Sequence, residues 1–283
     1  MEEDQYPNGF RINNSRVPIT LSLRPIQSLR PHEEIVSHEL GLIIHDLERE
    51  NLLRHPLIAD QSTGVILDGT HRLAALKALD CRLVPCALVE YNDPRILVER
   101  WYRIITGSDI ERFVKQTENN TRKVKTDAEA EESLVMRECY ASMEDGKSCK
   151  VFLCGKMTPL ELIRSAYKLE QSAKEIGLRV KYADAKGDSS SSNRLILSTV
   201  RLSKPEIVES ALAGLVFPPK TTRHIIPSRP LGTSTPLELL RSERPGEAQT
   251  LFVNDLKSKH VKRMPQGSKI GSRRYMEEVF VFD

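Results

Sequence analysis

The stretch VILDGTHRLAALKALD, from Val65 to Asp80, constrains this chain more than any other. An apolar run, Val65-Ile66-Leu67, has the character of a buried strand and stops abruptly at Asp68-Gly69. From Thr70 onward Leu73, Leu76 and Leu79 recur on one side, which predicts a helix over Thr70 to Leu79. Strand, turn and helix thus follow one another without a linker. A helix that opens this way leaves its first N–H groups unpaired, and these donors with the helix dipole attract an anion, commonly phosphate. Gly69 permits close approach of a ligand to backbone. Arg72 in the first turn can add a bidentate phosphate contact, and His71 a donor or proton carrier. Asp68 repels phosphate unless it carries a cation or a proton, so its presence points to metal-assisted chemistry. The plainer alternative is a capped helix, with Asp68 or Thr70 as N-cap and Arg72 on the surface.

The flanking segments supply the elements that such a join needs. Val17, Ile19, Leu21 and Leu23 alternate as in a half-buried strand. Pro31 precedes a helical stripe, Ile35, Leu40, Leu42, Ile43 and Leu47, which predicts a helix from about Glu33 to Asn51 with Gly41 as a weak point. HPLIAD and VILD, separated by QSTG, read as a hairpin. RLVPCALVEYND and PRILVERWYRI are two further strands. Beyond Ser108 the pattern is less legible. DIERFVKQTENN and TPLELIRSAYKLEQSAKEIG read as helices, and CKVFLCG and NRLILSTVRL as strands. ADAKGDSSSSN has no large apolar residue and reads as a mobile surface loop. KPEIVESALAG predicts a helix ending near Gly214, followed by a loop rich in Pro, Thr, Arg and His.

Two other stretches bear polar groups in a useful order. His32, Glu33 and Glu34 fall at the predicted start of a helix, where acids are also favoured by the dipole alone. Lys220, Thr221, Thr222, Arg223 and His224 follow two prolines and form a run of five donors, either a phosphate or oxyanion cradle or a polar surface loop. No GxxxxGK[ST], GxGxxG or HRD…DFG pattern occurs, so the familiar nucleotide folds receive no support.

Charge bears on partners only weakly. The 42 basic and 39 acidic side chains interleave and leave a net +3, too near balance to argue for nucleic acid. One segment departs from this: between Leu256 and Met276 seven Lys or Arg occur with no acid, a basic C-terminal tail that is either a nucleic-acid patch or a solvated face. Five cysteines without a CxxC pair read as reduced thiols. No apolar run is long enough to cross a membrane, and the acidic MEEDQYPNG start is unlike a signal peptide. The expectation is a cytoplasmic protein with no membrane partner.

On these residues the segment HPLIADQSTGVILDGTHRLAALKALDCRLVPCALV resembles the ParB/sulfiredoxin-like domain. Sulfiredoxins resemble G-G-C-H-R at the turn and use its cysteine; Thr70 stands there in this chain, so that chemistry is not available. ParB-type proteins resemble G-E-R-R and continue into a helix-turn-helix, which is not evident here. The free L-serine kinases of the same superfamily resemble D-G-H-H-R, with P-H-E upstream and P-K-T-T-R-H near the far end. This chain has Pro31-His32-Glu33, Asp68-Gly69-Thr70-His71-Arg72 and Pro219-Lys220-Thr221-Thr222-Arg223-His224, in that order, departing only at Thr70. The likeness spans roughly residues 20 to 230.

What the resemblance implies is an α/β (α+β) fold. A ParB/sulfiredoxin-like N-terminal domain, residues 1–107, would pack against a second α/β domain, 108–283, with the active site in the cleft. The activity implied is phosphorylation of free L-serine to O-phospho-L-serine by ATP or ADP, with ATP favoured, feeding cysteine or related amino-acid synthesis. Glu33 would be the base on the serine hydroxyl. Asp68 would be an acidic partner of the transferred phosphoryl and its Mg²⁺. Gly69, Thr70, His71 and Arg72 would bind the nucleotide phosphates. Lys220 to His224 would hold phosphate and the substrate carboxylate, and Trp101 would be a pocket wall. A nucleotide-dependent DNA-binding regulator, using the basic tail, is the rival reading.

Overall fold

The computed structural model describes residues 9–13, 15–146, 148–187, 194–271 and 273–283. The chain divides into two compact units. Unit 1 comprises Met1–Leu97, Ile207–Leu215 and His224–Asp283, and unit 2 comprises Val98–Glu206 and Val216–Arg223. A single cut after residue 107 therefore does not describe the division: the chain leaves unit 1 ten residues earlier and later returns to it, so the C-terminal sixty residues belong with the N-terminal segment.

Unit 1 begins with β1 (Phe10–Ile12), β2 (Ile19–Pro25), α1 (Ser37–Glu50), β3 (Leu52–Leu53), β4 (Leu57–Asp60), β5 (Ile66–Asp68), α2 (Thr70–Ala78) and β6 (Leu83–Val89). These strands build a five-stranded sheet in the order β1-β2-β6-β4-β5. Only the β4–β6 pairing is parallel. The alternation predicted for β2 holds, with Val17, Ile19, Leu21 and Leu23 all buried. β6 is apolar and buried along its whole length, as a strand flanked on both sides requires. The β4–β5 hairpin is present as predicted. Its turn is closed by the Asp60 carboxylate, which accepts from the Thr63 amide and hydroxyl at 3.1 and 2.5 Å. Gly64 in that turn has φ +71°, and a Cβ there would lie 2.2 Å from the Ser28 carbonyl, so only glycine fits.

α1 starts later than its periodicity predicts. Residues 33–36 precede the helix in non-helical backbone, and Val36 is its extended N-cap. The reason is tertiary: the Val36 amide donates to His71 Nε2 at 2.8 Å, a partner thirty-five residues away. Gly41 interrupts nothing, and Asn51 ends the helix in the left-handed region at φ 53°.

Unit 2 is built on β7 (Leu97–Arg100), β8 (Tyr102–Thr106), α3 (Ile110–Gln116), β9 (Thr121–Val124), α4 (Asp127–Val135), β10 (Cys139–Glu144), β11 (Cys149–Leu153), α5 (Pro159–Glu175), β12 (Arg179–Ala183) and β13 (Arg194–Thr199). Its six-stranded sheet, β12-β8-β13-β10-β11-β9, is antiparallel throughout. α5 opens with a capping box, Thr158 with Glu161, and Pro159 in the first turn. Ile105, Phe113, Phe152, Ala166 and Leu195 meet in the core beneath it. Residues 188–193, where the serine-rich loop was expected, lie outside the described residues.

The chain then crosses between the units through α6 (Lys204–Leu212) and β14 (Thr222–Ile225), and completes unit 1 with β15 (Ser228–Leu231), β16 (Thr235–Pro236), α7 (Leu237–Leu240), α8 (Pro245–Ser258), β17 (Val261–Met264), β18 (Lys269–Ile270), β19 (Arg273–Arg274) and β20 (Glu278–Phe282). The Pro-, Thr- and Arg-rich segment after α6 thus carries two short strands rather than a plain loop. The basic stretch is not a free tail either. β17 pairs antiparallel with β20, which pairs parallel with β15. Arg263 bonds Glu278 at 2.6 Å and Lys259 bonds Asp255 at 2.6 Å, so part of the charge is spent internally. No helix among the described residues is long and apolar enough to cross a membrane.

α8 is tied to β2 by a buried contact: the Leu23 amide donates to Gln249 Oε1 at 2.7 Å, and Gln249 is fully buried. Gln249→Ala should leave that amide unpaired and lower the stability of the full chain by about 1–3 kcal/mol in urea unfolding. An unchanged midpoint would show that α8 does not support the sheet.

Candidate active site

The join between β5 and α2 is where polar groups of unit 1 converge. α2 has Gly69 as its N-cap, at φ +109°, and no side chain caps its first turn. The capped-helix alternative is therefore not what forms. A Cβ on residue 69 would lie 2.7 Å from Leu57 and 2.9 Å from the Arg72 guanidinium, so the backbone passes here only as glycine. The uncapped first turn, opening at Thr70, leaves the donors that suit an anion.

Asp68 is clamped rather than free. Its Oδ2 accepts from Arg72 Nη2 at 3.0 Å and from Arg229 Nη1. Burial pushes the Asp68 pKa up, but the Arg229 and Arg72 guanidiniums outweigh this and hold the carboxyl well below the usual carboxylate range. Arg229 in turn donates Nε to Glu277 at 2.7 Å. Arg72 Nη1 donates to the His55 and Pro56 carbonyls at 3.0 and 2.7 Å. Arg72 therefore locks the turn to the chain before β4, and its donors are largely committed to protein. His71 is likewise engaged, accepting the Val36 amide on Nε2 with Glu39 3.6 Å away. Through these contacts His71 and Arg72 both fix the geometry of the turn.

Glu33 lies in the lead-in to α1, beside a buried histidine. His32 is 3% exposed, and its Nδ1 lies 2.7 Å from the Ile66 carbonyl, which can only accept, so Nδ1 carries the proton. Its Nε2 is 3.9 Å from Glu33 Oε1. Burial lowers the His32 pKa, partly opposed by Glu33 and the Ile66 contact. The His32 ring stands edge-on to His224 at 5.3 Å, and His224 Nε2 is 2.7 Å from the Tyr91 hydroxyl. His32, Glu33, His224 and Tyr91 thus form one polar cluster within unit 1.

The Lys220–Arg223 segment and Trp101 belong to unit 2. Thr221 is buried and its hydroxyl donates to the Pro218 carbonyl at 2.7 Å. Thr222 is buried as well, and its carbonyl accepts from the Trp101 indole at 3.0 Å. Arg223 lies over the Trp101 ring at 5.7 Å and 3.3 Å from Asp184. Of the five-donor run, the Thr221 hydroxyl therefore turns inward, while Lys220 and Arg223 are half-buried cationic side chains.

Arg229, Glu277, His55 and Tyr91 were not expected at these sites. Arg229 sits in PSRPLG, where two prolines erase any periodic signal, and only the fold brings it to Asp68. That pairing also bears on metal binding. A resident Mg²⁺ needs clustered oxygen ligands, but Asp68 offers one carboxylate whose Oδ2 is held by two guanidiniums. No group of three potential ligands occurs among the described residues. The side chains alone therefore do not build a protein-held Mg²⁺ site at Asp68, and no step is routed through such an ion.

Replacing Arg229 tests the clamp. A carboxylate whose folded pKa is depressed contributes stability above its unfolded pKa, near 4, and loses it as the pH falls toward the folded value. Arg229→Gln should therefore be less stable than the parent at pH 7, and the gap should narrow steadily below about pH 4. A gap independent of pH in chemical unfolding would exclude the Asp68 pairing as its source.

No known family profile matches the chain. It is 27% identical over 227 residues to an ATP-dependent L-serine kinase of Staphylothermus marinus, covering 76% of this chain and 89% of the relative. It is 26% identical over 231 residues to an ADP-dependent L-serine kinase of Thermococcus kodakarensis, covering 76% and 90%. A ParB-like protein of Sulfolobus acidocaldarius is 28% identical over 200 residues, covering 70% and 87%. Among solved structures, a free serine kinase variant in complex with ADP superposes with a TM-score of 0.66 at 22% identity, covering 85% of this chain and 98% of that one. SbnI of Staphylococcus aureus with a C-terminal truncation gives 0.68 at 20%, covering 84% and 95%. The chain therefore has the fold of these proteins and, over most of its length, is a sequence relative of ATP- and ADP-dependent L-serine kinases.

Proposed function

We propose that this chain is a free L-serine kinase, transferring a phosphoryl group from an adenine nucleotide to the serine hydroxyl to give O-phospho-L-serine. The observation that carries the reading is the relation to L-serine kinases over three quarters of the chain, with Glu33 and the Asp68 turn on the same unit. Phosphoryl transfer asks a protein mainly for alignment, charge neutralisation and a base. The serine oxygen attacks the terminal phosphorus, the bond from phosphorus to the bridging oxygen breaks, and the nucleotide leaves one phosphate shorter. Glu33 takes the hydroxyl proton. The uncapped start of α2 at Gly69 and Thr70 receives nucleotide phosphate, and Thr70 supplies a hydroxyl where the family has histidine. Asp68 acts by holding Arg229 and Arg72 in place. Trp101, Lys220, Thr221, Thr222, Arg223 and His224 are assigned to the substrate by resemblance, Lys220 and Arg223 supplying charge for its carboxylate. Mg²⁺ bound to the nucleotide would supply charge neutralisation of its phosphates.

The ParB/sulfiredoxin-like character of the N-terminal segment is part of this reading and is supported by the Asp68–Arg72 turn between β5 and α2. Both ATP- and ADP-dependent relatives occur, and ATP is the favoured donor. The product would feed cysteine or related amino-acid synthesis. A cytoplasmic location is proposed with it, in keeping with the five free cysteines.

A second reading, a nucleotide-dependent DNA-binding regulator, is favoured by the ParB-like relative. Against it stands the use of Arg263 and Lys259 in internal ion pairs. Salt-dependent binding of duplex DNA would support it.

The purified chain, given L-serine, Mg²⁺ and either ATP or ADP, should form O-phosphoserine detectable by mass. Failure with both nucleotides from folded protein overturns the proposal. Glu33→Gln should lower kcat by about 10²–10⁴-fold, the usual contribution of a general base. Its circular dichroism and unfolding midpoint should match the parent.

A further inference from the structure

Unit 2 contains an ion network that no step of the proposed reaction uses. Arg103 on β8 is 1% exposed and Glu170 on α5 is 0% exposed. Arg103 Nε donates to Glu170 Oε2 at 3.2 Å. The other carboxylate oxygen accepts from Lys174 Nζ at 2.6 Å and from the Tyr182 hydroxyl of β12. The Arg103 guanidinium also lies over the Tyr182 ring at 5.7 Å.

Taking a guanidinium and a carboxylate out of water is costly, and apolar side chains of the same volume hold a sheet and helix together equally well. What apolar groups cannot do is donate hydrogen bonds in a fixed fork. Arg103 does this at two points outside the pair: Nη1 donates to the Trp101 carbonyl at 2.8 Å and Nη2 to the Lys220 carbonyl at 3.2 Å. These are the two stretches that the family resemblance assigns to substrate, 117 residues apart between Arg103 and Lys220. Lys220 sits at φ 59°, a left-handed conformation that a side-chain-bearing residue keeps only when its surroundings over-determine it. Three bonds do so here. Arg103 holds its carbonyl, Thr221 reaches back to Pro218, and the Trp101 indole holds the Thr222 carbonyl.

We propose that Arg103, held in place by Glu170, is the positioning residue that fixes Trp101 and the Lys220–Arg223 backbone in one conformation, preorganised for the carboxylate of the amino-acid substrate. The inference rests on the reading of that segment as substrate contact. Preorganisation lowers the cost of binding without adding a contact to the ligand, so its loss falls on the affinity for serine. Lysine cannot replace the fork, because a single ammonium on a flexible stem does not hold Glu170, Trp101 and Lys220 together.

Trp101 is the only tryptophan of the chain, so its fluorescence reports on this segment without reference to activity. In the full-length protein, Arg103→Lys should raise the KM for L-serine about tenfold, with the KM for nucleotide within twofold of the parent. Its Trp101 emission, without ligand, should move to longer wavelength and become more sensitive to acrylamide quenching. Tyr182→Phe removes only one bond to Glu170 and should show the same changes at smaller size; it decides the matter if Arg103→Lys does not fold. A folded variant with the parent's serine KM and quenching overturns the proposal. So does an equal loss in serine KM, nucleotide KM and kcat, the signature of a general structural defect. If the parent makes no O-phosphoserine, the kinase reading fails. The quenching comparison then judges the positioning of Trp101 on its own: no difference between parent and variant overturns it, and greater exposure in the variant supports it.

Discussion

The interaction on which unit 1 most depends is the clamp of Arg72 and Arg229 on one oxygen of Asp68. Each participant comes from a different stretch: Asp68 ends β5, Arg72 lies in the first turn of α2, and Arg229 arrives on β15, 161 residues further along. Charged hydrogen bonds of this kind are shorter and about twice as strong as neutral ones. They also satisfy a carboxylate that would otherwise disfavour an anion beside the start of α2. With Asp68 neutralised and Glu277 balancing Arg229, the corner holds paired charge rather than bare charge, next to backbone amides that no side chain caps.

The same economy recurs where the chain must bend sharply. His71 could serve as a proton carrier by its chemistry, yet its Nε2 accepts the Val36 amide and so sets where α1 begins. That choice releases residues 33–36 from the helix and leaves Glu33 in the segment beside His32, whose buried ring is oriented by its Nδ1 contact with the Ile66 carbonyl. A carboxylate in such a segment is positioned by backbone and neighbours, not by a helix face. In unit 2 a buried arginine does comparable work through carbonyl groups, fixing a left-handed lysine that its own sequence does not favour.

Much of the framework was legible in the amino-acid pattern. β2, the β4–β5 hairpin, α2, β6, α3, α5 and α6 follow from alternation, helical stripes and turn residues, because each buries a continuous apolar face. What escaped were α8 and β10, whose buried faces are short and mixed with polar residues, and several elements without such a face. β9 is TRKV and β12 is RVKYA, both edge strands of a six-stranded sheet, largely polar because one side of their ladder meets no neighbour. α4, with its Thr126 cap, was missed for want of a long stripe. The basic C-terminal stretch looked like a tail because its apolar residues are sparse. In the fold, Val261, Met264, Val279 and Phe280 pair as β17 and β20.

By itself the sequence determined the strand and helix that flank the Asp-Gly turn, and the family resemblance that three short motifs carry together. Those are local properties: side-chain period, the conformational range of glycine, and the order of polar residues along a few turns. Only the tertiary structure decided what each polar group does. It gave Arg72 to the His55 and Pro56 carbonyls, His71 to Val36, Arg229 to Asp68, and Arg103 to Trp101 and Lys220. Hydrogen-bond partners far apart in the chain leave no periodic trace, because a donor's spacing along the backbone says nothing about which acceptor the folded sheet will bring to it.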